Sequence, residues 1–496
     1  MKRLIAGLAT FLVFSSSLYS QYYIGQQIQL PDTTIFTESL SLPISPNRED
    51  VKAIGMGKTQ IANGRTFNAM MYNPALLARD RFRFDLAGIQ ASLPNTTLKA
   101  IDFLRANKTH FSTGLFLQQI SQGINEFGNA TTLQQQEAAV QKINSGLRFL
   151  NSLQAEVIGT EENPKTHGIG IVPNIQAQFG TWGFSLFASA QSGFQVQPGR
   201  TVSDILALKL PDDPSQFTVD AITRLAEIIF PLFEPNTNQL DVNQALPEIY
   251  ALSYVDIVGA GGYAMDVGDG LFIGANVKVI NRRFSTKRIA SDNIENIVSE
   301  ARSDFQSSQT GFTVDLGGFY TMSSGTQLGV SLQNILPIQK ITSHASINTE
   351  VGAIVDYQRD AGGNPIVNGN GDTALVAVQR LINIRVPFDL KTPFVANIGL
   401  LHPLTDQWDI AFDWSDIFAQ DIRFESTAER FRIGTEYRLD ALTEVLGLAL
   451  RGGLADGQIT IGLGLNLFRV IQIDGAIAKD QFVGERAYFG QIKIGW

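Results

Sequence analysis

The sequence predicts an all-β membrane protein: a closed antiparallel transmembrane β-barrel of about 14 strands, with an N-terminal luminal hatch and helical inserts in the extracellular loops. Three observations lead to this fold class. Apolar and polar residues alternate over many segments, these segments are long enough to cross a bilayer, and the long connections between them all fall on one side.

Alternation with a period of two is the primary signal. In the first such segment Phe82, Phe84 and Leu86 share one face and polar residues occupy the other, and residues 488–496 end the chain in the same way. This pattern is typical of strands with one apolar and one polar face. The predicted strands are 81–92, 168–179, 181–193, 249–266, 271–284, 312–322, 326–335, 394–402, 407–415, 428–438, 445–454, 457–468, 470–480 and 486–496.

Strand length and loop length agree with a barrel. A bilayer-spanning strand needs about 9–11 residues, whereas ordinary globular strands have about 5–6. The long connections 93–167, 194–248, 285–311 and 336–393 all follow odd-numbered strands, and the turns after even-numbered strands are short. Bacterial barrels place long loops outside and short turns on the periplasmic side.

The N-terminus predicts export. Lys2 and Arg3 precede a short apolar run over 4–14, followed by small and polar residues up to Ser20. This order is typical of a signal peptide over 1–20, and the alternative is a buried N-terminal helix. We therefore expect the protein in the outer membrane of a Gram-negative-type (diderm) bacterium.

Composition excludes several classes of function. Charged residues are 17% of the chain, below the roughly 25% of a soluble domain. The net charge of −9 argues against nucleic acid as a partner, and the absence of cysteine excludes thiolate metal sites and cysteine nucleophiles. The four histidines lack metal-ligand spacing. We predict no enzyme and no cofactor, with a histidine pair or a catalytic cluster assembled by the fold as the open alternatives.

The chain divides into a signal peptide, a hatch or plug over 21–80, and a barrel over 81–496. Helical periodicity near 131–157 and 221–230 predicts amphipathic helices folded over the outer mouth. The alternative for these helices is contact with lipid headgroups.

A Gly-rich loop over 356–372 is a weak calcium candidate. Its hard oxygen ligands match no EF-hand spacing, so the other interpretation is a solvated loop tip. The residues are Asp360, Asn364, Asn368, Asn370 and Asp372.

The segment before the first strand carries a resemblance. Gly55 and Gly57 form a Gly-x-Gly turn, and Asn73, Pro74 and Ala75 begin Asn-Pro-Ala-Leu-Leu-Ala just ahead of the barrel. This arrangement resembles the FadL-like outer-membrane superfamily, which includes long-chain fatty-acid transporters, PorV-type secretion proteins and conjugal-transfer TraF-like proteins. Residues 431–465 resemble the TraF-like and PorV-like branch most.

The resemblance implies a fourteen-stranded barrel with the hatch in its lumen and the Asn-Pro-Ala motif inside the hatch. The alternative for that motif is an ordinary turn before the first strand. Trp496, the last residue, resembles the C-terminal aromatic that the barrel-assembly machinery reads, and its alternative role is an interfacial tryptophan.

Three functions are compatible with these features. The first is uptake or binding of a hydrophobic small molecule or lipid. The alternative is an outer-membrane component of a secretion or conjugal-transfer apparatus, with components of that apparatus as partners and no transport of its own. A soluble periplasmic all-β protein is disfavoured by strand length and by the one-sided long loops.

Overall fold

The structure, a computed structural model, describes most of the chain. The described residues are 40–43, 49–63, 69–79, 82–160, 165–197, 200–208, 210, 218–230, 248–290, 308–336, 341–357, 375–420, 428–442, 445–468, 470–481 and 483–495.

The strands in these ranges are numbered in chain order. They are β1 (Leu40–Pro43), β2 (Phe82–Pro94), β3 (Thr166–Phe179), β4 (Trp182–Gln197), β5 (Glu248–Gly268), β6 (Leu271–Ala290), β7 (Ser308–Thr321), β8 (Gln327–Gln333), β9 (Ile341–Tyr357), β10 (Leu375–Lys391), β11 (Val395–Pro403), β12 (Trp408–Trp414), β13 (Phe431–Leu442), β14 (Leu446–Ala455), β15 (Gln458–Leu467), β16 (Ile471–Lys479) and β17 (Arg486–Gly495).

The α-helices in the same ranges are short near the N-terminus and longer in the first two long connections. They are α1 (Val51–Gly55), α2 (Ala69–Tyr72), α3 (Asn95–Ala106), α4 (Lys108–Thr113), α5 (Leu115–Asn129), α6 (Leu133–Leu153), α7 (Arg200–Ala207) and α8 (Val219–Ile229). A 3-10 helix covers Pro74–Ala78, and a π-helical turn, Gln154–Ile158, extends α6.

Strands β2–β8 and β11–β17 close into one barrel. Neighbouring strands pair antiparallel, and the last strand, β17, pairs with β2 to complete the ring. Each of these strands overlaps one predicted segment, so the predicted antiparallel barrel of about 14 strands is confirmed. Below, "outer" denotes the end of the barrel with the long connections and "inner" the end with the short turns.

The exterior surface of the barrel wall, which faces away from the lumen, is apolar. Side chains that the alternation placed on one face, such as Leu86, Ile175 and Ile492, are about half exposed on the outside. Aromatic rings gather near the inner end, as in the rows that flank the apolar band of membrane barrels; they are Phe82, Phe179, Trp182, Tyr263, Tyr320, Trp408 and Tyr437. Among the described helices, none is long and apolar enough to cross a membrane.

Helices cover part of the outer end. The connection between β2 and β3 contains α3–α6, and the connection between β4 and β5 contains α7 and α8. Their apolar faces share one buried cluster that includes Leu117, Ile120, Leu150 and Ile229. Helices thus occur at both predicted inserts, but α3, α4, α5 and α7 were not predicted.

The long connection 336–393, in which no strand was predicted, contains two strands. There β9 and β10 form an antiparallel hairpin, and β10 also pairs in parallel with β1 to give a separate three-stranded sheet. A bulge between Val378 and Arg380 and the proline at Pro387 interrupt the period of two along β10. This interruption explains why alternation did not reveal the strand.

Candidate functional site

The lumen of the barrel contains residues 49–63 and 69–79, which are here called the luminal segment. Its first helix, α1, is capped by Asp50, whose carboxylate accepts a hydrogen bond from the Lys52 backbone N–H (2.8 Å). The Val51 N–H donates to Gln491 Oε1 on β17 (3.2 Å). Ile54 packs in a buried cluster with wall residues of β16 and β17. The helix therefore runs along the inside of the last strands.

A buried charge network fixes α1 to β13–β16. Glu436 Oε2 accepts from Lys52 Nζ (3.2 Å) and from Arg451 Nε (2.8 Å). Arg451 Nη1 also reaches Asp474 Oδ1 (2.7 Å). All four side chains are at least nine-tenths buried. Arg438 also pairs with Glu436 (3.1 Å) and with Asp409, so three cations face three anions and leave no net charge. Charges this deep are tolerated when each is paired and hydrogen-bonded.

Two further ion pairs fasten the ends of the first half of the luminal segment. Lys493 Nζ on β17 bonds Asp50 Oδ2 (3.0 Å), towards the inner end. At the other end of this half Lys58 pairs with Asp456, in the outer turn between β14 and β15, and also donates to the Lys479 carbonyl (3.0 Å). The first half of the luminal segment is therefore attached to the last strands at both the inner and the outer end of the barrel.

Glycines in the wall let the backbone of the luminal segment approach closely. A Cβ added at Gly453 would lie 2.5 Å from Gly57 N, and one at Gly462 would lie 2.7 Å from Gly55 Cα. At Gly434 a Cβ would overlap the carbonyl of Met56. The absence of a side chain at these three positions therefore makes room for the luminal segment.

The two glycines singled out in the sequence lie at this contact. Gly57 has φ of +63°, which favours glycine because a side chain is strained there. Its N–H donates to Thr460 Oγ1 on β15 (3.0 Å). Gly55 faces Gly462, so backbone meets backbone.

The Asn-Pro-Ala motif lies across the lumen, against β6 and β7. Asn73 Oδ1 accepts from the Ala75 N–H (3.1 Å) and caps the 3-10 helix that Pro74 begins. Asn73 Nδ2 donates to the carbonyls of Ile61 and Gly318 (3.0 Å each). The motif thus joins the two halves of the luminal segment to the wall.

Other predicted site residues lie outside the described residues: Trp496, the signal peptide 1–20 and the calcium candidates over 360–372. The charged wall residues Glu436, Arg451, Asp474 and Lys493 were not predicted as a site. In the sequence, each of them is recognisable only as a charged residue on the polar face of a predicted strand.

The pKa of Asp50 gives a testable pH dependence. Burial raises this pKa, but Lys493 and the Lys52 N–H outweigh burial and hold it below 3.8. A carboxyl with a depressed folded pKa stabilises the fold above its unfolded pKa, and this stabilisation is lost as the pH falls through the folded value. We expect pepsin to cleave the luminal segment increasingly below pH 3.8.

The matching variant is Asp50→Asn, which keeps the cap geometry and removes the titration. It should be cleaved more readily than wild type at mildly acidic pH and show a flatter pH profile. Asp220→Asn, at an exposed i,i+4 pair, is the control and should follow wild type. Identical profiles for Asp50→Asn and wild type would contradict the assignment.

Comparison with known proteins identifies the family. A family model described as "F plasmid transfer operon, TraF, protein" matches residues 70–362. The chain belongs to this family. The predicted resemblance to TraF-like outer-membrane barrels is thereby confirmed at the level of family. Among curated proteins, none matches significantly.

Solved structures similar to this TraF-family chain are barrels of low sequence identity. A TodX deltaS2S3 mutant monoaromatic hydrocarbon channel has 12% identity and a TM-score of 0.41, over 90% of this chain and 97% of that one. The Pseudomonas putida toluene transporter TodX has 13% sequence identity and a TM-score of 0.38, over 92% of this chain and 98% of that one. A Pseudomonas aeruginosa FadL homologue has 9% sequence identity and a TM-score of 0.39, over 92% of this chain and 99% of that one. The barrel assignment rests on the strand pairing of this chain itself.

Proposed function

We propose that this protein is an outer-membrane component of a secretion or conjugal-transfer apparatus, closed by its own luminal segment. The observation that carries the proposal is the attachment of that segment to opposite walls. Buried ion pairs hold it to β13–β17, and the Asn73 hydrogen bonds hold it to β7. A lumen occupied in this way suits a structural component better than an open pore.

The polarity of the lumen supports the same proposal. Inward-facing residues of β5–β7 include the buried pairs Arg282–Asp256 (2.5 Å) and Lys278–Asp315 (2.8 Å). Passage of an apolar solute needs apolar lining, as in most small-molecule sites. Membership of a family named after a plasmid transfer operon agrees with an apparatus role.

The proposed location is the outer membrane of a diderm bacterium. The apolar exterior surface of the barrel supports membrane insertion, and the predicted signal peptide supports export. We further propose that Trp496 serves as the C-terminal signal for the barrel-assembly machinery. No enzymatic role is proposed.

Uptake of hydrophobic molecules is the second candidate, and an irregularity in the wall favours it. The pairing of β2 with β3 shifts between Asp85 and Gly88, and Pro173 of β3 faces Ile89 at the next ladder positions. Proline cannot donate to a ladder, so the wall is weakened beside the bulge. A sideways exit for an apolar solute would use this place.

A deletion of the gene in its own host separates the two candidates. The apparatus proposal expects plasmid transfer or protein secretion to fall severalfold, with cellular uptake of labelled palmitate and toluene unchanged. Complementation with the wild-type gene is the control. Normal transfer and secretion together with reduced uptake would overturn the proposal and favour the second candidate.

A further inference from the structure

We propose that helix α3 (Asn95–Ala106) is an interfacial anchor, which lies on the outer surface of the membrane and contacts phosphorylated lipids of that leaflet. Ile101 and Leu104 would enter the lipid, and Arg105 and Lys108 would meet the lipid phosphates. The inference rests on the membrane location proposed above and does not depend on the apparatus role.

The helices at the outer end, α3–α8, pack on the exterior side of the wall. On β4, the side chains of Trp182, Phe184 and Leu186 are exposed on the exterior. Because side chains alternate along a strand, Phe194 and Val196 lie on the same side. Both pack with the buried cluster of these helices. The helices therefore cover the exterior of the wall beyond its exposed apolar part.

Helix α3 follows β2 directly and is fixed to the outer end of β3 by two threonines. Thr97 Oγ1 accepts from the Gly168 N–H (2.7 Å) and donates to the Gly168 carbonyl (3.0 Å). Thr96 Oγ1 donates to the Thr166 carbonyl (2.8 Å). Two adjacent helix residues thus bind positions that are two residues apart on β3.

These bonds fix the direction of α3. One residue advances a helix by only 1.5 Å along its axis but turns it by about 100°, whereas the two partners on β3 are roughly 6–7 Å apart. This spacing is met when α3 crosses the end of β3, so that the helix lies along the membrane surface. Gly168 is the inner of the two partners, so the Thr97 side of the helix faces the inner end. Since α3 packs outside the wall, that side faces the membrane.

The exposed apolar residues of α3 lie on this side. Around the helix axis Ile101 is about 40° from Thr97, and Leu104 is about 20° from it. Both side chains are exposed. Phe103, by contrast, is about 120° from Thr97 and stacks on Phe149 of α6, with 5.7 Å between ring centroids. The helix therefore presents one face to the other helices and a different one to lipid.

Basic residues accompany the apolar face. Arg105 is about 80° from Thr97, on the same side as Ile101, and Lys108 follows at the start of α4; both are exposed. Their long side chains can reach from the lipid boundary to the headgroups, where phosphate oxygens accept charge-assisted hydrogen bonds. Asp102 is about 140° from Thr97 and so lies further from the lipid.

Site-directed fluorescence in vesicles tests the contact, and the chain has no cysteine of its own. The variants Ile101→Cys, Ile89→Cys and Lys99→Cys each carry one bimane label in vesicles of phosphatidylcholine and lipid A, with a nitroxide on the upper acyl chain as the quencher. Ile89 is exposed on the exterior of β2 and reports insertion of the barrel. Lys99 is exposed but about 200° from Thr97, so it is the matched control. Quenching at positions 89 and 101 should exceed quenching at position 99 severalfold.

Quenching at position 89 but not at position 101 would overturn the anchor and leave the membrane location standing. Absence of quenching at both positions would overturn the membrane location, and the anchor with it.

The phosphate contact is tested by Arg105→Gln combined with Lys108→Gln. This double variant should weaken quenching at position 101 in the lipid A vesicles, and should not change it in vesicles of phosphatidylcholine alone, which carry no net charge. Lys142→Gln, at an exposed pair with Glu126, is the control and should behave as wild type. Equal quenching in the double variant and this control would exclude the phosphate contact.

Discussion

Replacing Glu436 by glutamine is expected to lower the free energy of unfolding by about 3–5 kcal/mol, because it leaves buried cations without their shared anion. Glu436 accepts from Lys52 of the luminal segment and from Arg451 of the wall. Lys52 lies in the lumen and cannot regain full hydration while α1 stays seated. In the variant, Lys52 can regain its hydration only if α1 is released from the wall.

Urea unfolding in detergent, followed by tryptophan fluorescence, measures the stability change, and protease cleavage of the luminal segment measures release. Asp220→Asn is the control: its partner Arg224 is 64% exposed, and such pairs contribute only about 0.2–1 kcal/mol. A Glu436→Gln protein as stable as the control would show that the network does not hold the segment.

The second large effect is expected from Gly434→Ala. A methyl group at Gly434 would occupy the position of the Met56 carbonyl, and Gly453 on the neighbouring strand already contacts Gly57. Overpacking usually costs about 1–3 kcal/mol and occasionally more. Here the obstacle is backbone, which cannot rotate away, so we expect the luminal segment to undock.

Undocking should raise the single-channel conductance in KCl well above the wild-type value. Gly475→Ala is a matched control, because Gly475 is also a strand glycine but an added Cβ there meets no atom within 4 Å. The control should retain wild-type conductance and stability. Equal behaviour of the two alanine variants would exclude a tight backbone contact at Gly434.

The barrel could be predicted from local pattern because each strand carries its own signal. A period of two is set by the pleat, and the lipid outside demands apolar residues at every second position. The hairpin β9–β10 and the short strand β1 escaped prediction, since a bulge and a proline break the period and β1 has only four residues. Helices α3–α5 follow β2 and one another with at most one residue between elements, so no run of turn residues marks where they begin and end. Helix α7 has only eight residues, so its helical repeat is too short to give a clear signal.

The site was beyond sequence reasoning for a different reason. Asn73, Gly55 and Gly57 were found through a motif, but their wall partners follow from pairings across the whole chain. Lys58 meets Asp456 at a separation of 398 residues. Alternation tells which charges face inward, and it does not tell which of them meet.

The contacts of Asp50 and Val51 with β17 also bear on the order of folding. Val51 and Gln491 are 440 residues apart, and Asp50 and Lys493 are 443 apart, so these bonds close very long loops. Closing so long a loop is slow, and contacts of this kind form late. The luminal segment, which precedes β2 in the sequence, must therefore wait for β17. Ring closure and seating of the luminal segment become a single late event.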